Sequence, residues 1–210
     1  MQNTIIKETQ IKKVIFPEYQ ISFNRITDRL TSVFSPVEVK EYITLFERAN
    51  KDPKKTQLDI EKFQEKHPDL PEIYNLLTFI YVKLRKIKKA EKLTKENYFK
   101  NPDYLFAKIN YADLCLRKNK PQEVPKIFNH KFQLNELYPN RKIFHFSEVL
   151  GFMCLMSFYY LKINKKDIAK SYYDYAKLVD PDDATVLLLG RKIHKTNFIQ
   201  KLIKLLSLKN

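Results

Sequence analysis

The side chains that could do chemistry are few, and they do not converge. His67, His130, His145 and His194 are scattered, and none sits four residues from another metal-ligand type. There is no HExxH, no CxxC and no Gly-rich loop, so neither a zinc site nor a phosphate cradle is encoded. Cys115 and Cys154 fall on predicted helices amid Leu, Met and Tyr, where a thiol is a packing element, and two cysteines are too few for a disulfide framework. Carboxylates cluster only as surface pairs such as Asp182-Asp183, which reads as a helix cap. Two glycines in 210 residues cannot supply a dinucleotide fingerprint, a P-loop, a nucleophile elbow or a run of primed hairpin turns. The expectation is a non-enzymatic protein with no catalytic residues, no metal and no cofactor.

What remains is charge. Lys and Arg number 39 against 24 Asp and Glu, a formal net charge of +15. Lys supplies 32 of the cations, and Ile, Asn, Tyr and Phe are frequent, the composition of an AT-rich genome, so clustering is more informative than the total. Residues 82–100 carry eight cations and two acids; residues 184–210 carry six cations and no acid. The N-terminus shows no secretory signal, and the apolar stretch 149–163 is too short to span a bilayer, so a cytoplasmic location is expected. With 44% apolar residues the chain can bury a core of one large or two small domains.

The elements that would position these residues repeat. The segment Pro71–Tyr104 is 34 residues long and holds Tyr74, Leu77, Thr78 and Tyr81, then Ala90, then Pro102. The segment Leu150–Asp183 holds Met153, Met156, Ser157 and Tyr160, then Ala169, Tyr173, Ala176 and Pro181. Between them Leu105–Tyr138 offers Tyr111 and Ala112, then Val124 and Phe128, with Pro139 one residue late. Thr78, Ala112 and Ser157 are small where two helices of a repeat would touch, and Ala90, Val124 and Ala169 are small or short on the facing helix. Large side chains at both places would push the axes beyond ~10 Å.

This pattern resembles the tetratricopeptide repeat family over at least residues 71–183. The resemblance implies an all-α fold, a superhelix of antiparallel helix pairs whose first helices line a concave groove. The implied groove residues are Asn75, Phe79, Val82 and Lys83, then Phe106, Ile109, Asp113, Leu116 and Arg117, then Cys154, Phe158, Leu161 and Lys162. Lys83, Arg117 and Lys162 occupy equivalent places and are expected to form a basic ladder. Some members of the family grip an acidic C-terminus with a clamp of Lys, Asn and Arg. Here only Asn110 falls on a clamp place, while Phe79, Gly151 and Leu155 stand where polar residues are needed, so that role is not expected.

The flanks are less regular. Residues 37–70 read as a degenerate repeat: a helix over 37–50 with Tyr42, Leu45, Phe46 and Ala49 on one face, then a second started by Asp52-Pro53 and running to about Lys66. Residues 139–149 are an insert, and 141–163 could run as one long helix, the alternative being a loop that holds Phe144 and Phe146 against the core. Residues 1–36 form an N-terminal extension, without a clear period and read as extended or flexible over 1–21, with a helix over 22–34 that sets Phe23, Ile26, Leu30 and Val33 on one side. Residues 184–210 form basic amphipathic capping helices. The first is capped by Asp182 or Asp183, and the second carries the Phe198, Ile199, Leu202, Ile203, Leu205 and Leu206 stripe.

The leading functional expectation is an adaptor or chaperone that holds a protein segment, acidic with hydrophobic anchors, in the groove. A specific version resembles type III secretion chaperones, whose N-terminal helix can mediate a homodimer, although those are usually acidic. A second reading is nucleic-acid binding through cations and aromatics. A third is membrane-surface association of the C-terminal stripe, weighed against its capping of the last repeat.

Overall fold

Proline and capping residues set where the helices start. Ser35 opens α2 (Pro36–Lys51) with a capping box: the Glu38 N–H donates to Ser35 Oγ, and the Ser35 N–H donates to Glu38 Oε2. The Asp52 carboxylate accepts from the Lys55 N–H at 3.1 Å and opens α3 (Pro53–Lys66). Pro36, Pro53 and Pro71 each stand in the first turn, where no N–H is missed, and Pro71 opens α4 (Pro71–Lys83). The rest follow as α5 (Ile87–Lys100), α6 (Leu105–Arg117), α7 (Glu123–Ile127), α8 (Leu134–Leu137), α9 (Phe146–Lys162) and α10 (Lys166–Val179). A short α1 (Asp28–Val33) precedes them. Residues 184–194 are helical again, with Asp183 Oδ1 accepting from the N–H groups of Thr185 and Val186.

The computed structural model describes residues 4–5, 19–23 and 28–194. The expected C-terminal helix over 196–210 therefore lies outside the described residues. The chain divides into two compact units, Asn24–Leu114 and a second that joins Met1–Phe23 to Cys115–Asn210.

The 34-residue period is visible in the backbone. Arg85, Asn119 and Asn164 have φ of 57°, 59° and 58°. The first two are 34 positions apart, and the third is displaced by the 11-residue insert. At each, the following N–H reaches back five residues: Lys86 to Tyr81, Lys120 to Cys115 and Lys165 to Tyr160, at 2.8, 2.9 and 2.8 Å. One closure, a Schellman turn, ends the first helix of all three repeats. The degenerate repeat lacks it, and Asp52 both ends α2 and starts α3.

In the 24–114 unit, Leu45, Ala49, Ile60, Phe63, Ile73, Tyr74, Leu77, Ile80, Ala90 and Leu93 belong to one core. Phe34 and Phe63 meet edge to face at 5.6 Å. The Tyr74 hydroxyl donates to the Pro68 carbonyl at 2.7 Å, and that of Tyr81 to Glu61 Oε1 at 2.8 Å. Three residues expected on apolar faces are exposed: Phe23 and Phe46 by 50% each and Val33 by 58%. Helix α1 is described over Asp28–Val33, with Leu30 and Phe34 on the core; Ile26 of the expected helix lies outside the described residues.

The other unit contains a feature the periodicity does not predict. Thr4–Ile5 (β1), Gln20–Ser22 (β2) and Ile143–His145 (β3) form a small sheet, β1 antiparallel and β3 parallel to β2. Ser22 is thus in a strand and not at the start of a helix. Residues 141–163 are not one helix either. The 143–145 backbone pairs with β2, Phe144 is fully buried, and α9 starts afresh at Phe146 behind a capping box of His145 and Glu148. Glu148, itself buried, is gripped by both terminal nitrogens of Arg141, whose guanidinium lies 4.4 Å from the Phe144 ring centroid. The second helix of the middle repeat is cut to the five residues of α7: Pro121 and Pro125 crowd its start, and Asn129 and His130 adopt left-handed φ just past its end.

The α9–α10 pair meets as its small residues require. Ser157 and Ala169 are both fully buried, and Ser157 Oγ donates to the Ala169 carbonyl at 2.8 Å. Tyr160 stacks on Tyr172 at 5.5 Å, and the Tyr172 hydroxyl donates to the Phe132 carbonyl at 2.7 Å. Burial holds the Tyr172 hydroxyl far above its ordinary pKa.

Candidate functional site

The residues expected to line a groove are divided between the two units. In the 24–114 unit, α2, α4 and the start of α6 are linked side by side: the Tyr42 hydroxyl donates to the Glu72 carbonyl, and Asn110 Nδ2 donates to Asn75 Oδ1 at 3.1 Å. Asn75 is the centre of a polar network. Its Oδ1 also accepts from Asn97 Nδ2 at 3.1 Å, and its own amide donates to the Tyr104 hydroxyl at 3.3 Å. Asn97 donates as well to the Pro71 carbonyl and accepts from Asn101. Asn75 and Asn110 are therefore committed to holding α4, α5 and α6 together, and Asn110 is not a waiting clamp residue. Spacing could not reveal this network, because its members come from both helices of one repeat and the first helix of the next.

Beyond the network, α4 offers a mixed surface. Phe79 is half-buried, and Lys83 Nζ sits 5.4 Å from its ring centroid; Val82 beside them is 50% exposed. Phe106 and Asp113 are half-buried. Ile109, expected to line the groove, is 7% exposed and is a core residue instead.

In the other unit, α9 carries Phe158 and Leu161, both half-buried, and the exposed Lys162. Cys154 and Leu116 do not belong to an open surface, being 4% and 9% exposed. Burial pushes the Cys154 thiol up to about 12, so it stays protonated at neutral pH and is no nucleophile. Arg117 is exposed.

Electrostatics separates two kinds of cation. Lys83, Arg117 and Lys162 each stand in the last turn of their helix, where the helix dipole favours positive charge, so helix stability is enough to account for their recurrence. Lys83 belongs to one unit, Arg117 and Lys162 to the other. Among the described residues no three His, Cys, Asp or Glu side chains gather to hold a metal ion, and no helix is long and apolar enough to cross a membrane.

No protein-family model matches the chain, and no curated protein matches its sequence. Solved structures do. A structure of the APC/C hetero-tetramer Cut9-Hcn1 is similar over 80% of this chain with a TM-score of 0.53 and 12% identity. The match spans 30% of that chain. MamA from Desulfovibrio magneticus RS-1 aligns over 81% of this chain and 96% of its own, at 12% identity and a TM-score of 0.47. TTC0263, a thermophilic TPR protein of Thermus thermophilus, aligns over 83% and 96%, at 16% identity and a TM-score of 0.46. With the helix pairs and their repeated closures, the first of these matches defines the fold: an all-α, tetratricopeptide-like helical repeat.

Proposed function

We propose that this protein is a non-enzymatic interaction scaffold, an adaptor or chaperone, that holds a segment of a partner protein against the first helices of its repeats. The observation that carries this is the Phe79–Lys83 pair on α4: a half-buried ring with an ammonium over it, beside the exposed Val82. An aromatic ring capped by a cation accepts an apolar anchor and a carboxylate within a few ångströms, so the fitting partner is acidic with hydrophobic anchors. Phe158, Leu161 and Lys162 on α9 repeat that combination of residue types in the other unit. The fold supports the reading because helical repeats present extended side-chain surfaces. Affinity capture by the full chain from its native cell, with mass spectrometry, is the test. A discrete partner is expected, lost with Phe79→Asp or Phe158→Asp while the helical circular dichroism is kept. Recovery unchanged by both substitutions would remove these surfaces from the proposal.

A further inference from the structure

Helix α5 is dense in lysine, and the structure sorts its cations into two groups. Lys86 Nζ donates to Gln57 Oε1 at 2.6 Å, Lys89 lies 5.5 Å from the Tyr81 ring centroid, and Lys100 binds the Tyr74 hydroxyl and Glu96. These three are structural. Lys88, Lys92 and Lys95 are exposed and have no ion-pair partner among the described residues. By helical geometry they share one sector of about 60° with Phe99, opposite the buried Ala90, Leu93, Thr94 and Asn97. The stripe is about 16 Å long, with no carboxylate inside the sector.

Stability does not account for it. The first turn of α5 holds Lys88 and Lys89 and no acid, and its N-cap residue, Lys86, caps no first-turn N–H with its side chain. Positive charge at that end opposes the helix dipole, the reverse of Lys83, Arg117 and Lys162. Phe99 is equally costly, with 69% of its surface in water. It is nevertheless held in place: Tyr98 lies 5.3 Å and Tyr111 5.8 Å from it, and those two rings stack on each other at 4.4 Å. A row of uncommitted ammonium groups ending in a projecting, braced ring matches a chain of phosphates carrying flat bases.

We infer that the outer face of α5, Lys88–Lys92–Lys95–Phe99, is a docking surface for single-stranded nucleic acid, the lysines on successive phosphates and a base on Phe99. This surface is independent of the partner-binding residues above. An acidic peptide would satisfy the lysines equally, but the ring projects and offers stacking where a peptide anchor needs a hollow.

The test uses the full chain and a fluorescein-labelled 12-nucleotide oligo(U), read by anisotropy from low to moderate salt. Binding is expected, weakening steeply with salt. In Lys88→Gln/Lys92→Gln/Lys95→Gln the slope of log affinity against log salt should fall by about 2, as three lost contacts to a single strand require. Phe99→Ala should weaken binding roughly ten-fold with the slope unchanged, the signature of lost stacking. The charge-matched control Lys40→Gln/Lys54→Gln/Lys177→Gln should keep the wild-type slope. No binding at low salt, equal slopes for the two triple variants, or wild-type affinity in Phe99→Ala would each overturn the assignment. Displacement of the oligonucleotide by poly-glutamate, charge for charge, would reassign the surface to acidic peptides.

Discussion

Arg85, Asn119 and Asn164 show how a chain with two glycines ends its helices. A left-handed residue must close each first helix, and Asn tolerates that region better than Arg because its short side chain can bond locally. Arg85, at φ 57° and exposed, carries the steric penalty without that relief. Replacing it with glycine removes the clash between Cβ and backbone but loosens the unfolded chain. Arg85→Gly is therefore expected to stabilise the protein by up to about 1 kcal/mol, and Arg85→Val, β-branched at the same φ, to destabilise it by about 1–2 kcal/mol. Urea unfolding of the three proteins measures both; a Val variant as stable as the wild type would show that the turn has another conformation. Composition was misleading here in one respect. Scarce glycine ruled out glycine-dependent motifs, yet it did not forbid left-handed turns.

At the scale of the element, the most legible feature was the meeting of small residues. Ser157 and Ala169 were paired by spacing alone, and they touch through the 2.8 Å bond from Ser157 Oγ to the Ala169 carbonyl. Ser157→Ala should cost about 1 kcal/mol, since it removes one hydrogen bond while keeping the close approach. Ser157→Leu has to push α9 from α10 and should cost about 3 kcal/mol or more. Thermal melts of both variants check the order; similar losses would mean that the hydrogen bond, and not the spacing of the axes, sets this contact. Asp52-Pro53 was legible for the same reason, because a cap and its proline are neighbours in the chain. Exposure along the first helices was less so. Ile109, Leu116 and Cys154 lie on first helices as expected, but spacing along one helix does not say which side the rest of its unit covers. The short α7 was missed because Val124 and Phe128 keep the repeat's apolar phase and are buried, while the prolines and left-handed residues around them cut the helix short.

At the scale of the molecule, the division into units depends on one long-range pairing. Strand β2 lies beside β3 in parallel, with Ile21 opposite Phe144, more than 120 residues apart. Periodicity reads only local order, so neither strand was visible from the sequence, although the buried Phe144 and the bland pattern of the first residues were both noted. The pairing has a thermodynamic consequence. Closing so long a loop costs entropy that short-range helix pairs do not incur, and only the burial it gains can offset that cost. Ile21 is 1% exposed, Tyr19 meets Phe144 edge to face at 5.2 Å, and Phe23 stacks on Phe146 at 5.3 Å. A charge at Ile21 would have to be buried unpaired or expelled with the whole strand, and expulsion uncovers Phe144 and removes the backbone partners of residues 143–145. Ile21→Asp should therefore destabilise its unit by about 3 kcal/mol or more, whereas Gln20→Asp, at an exposed position of the same strand, should cost less than about 1 kcal/mol. Hydrogen exchange locates the effect: in Ile21→Asp, amides of β3 and the first turns of α9 should lose protection by a hundred-fold or more. Protection retained there would mean that β3 and α9 stand without the N-terminal strand, and that β2 is carried by the unit and not needed to complete it.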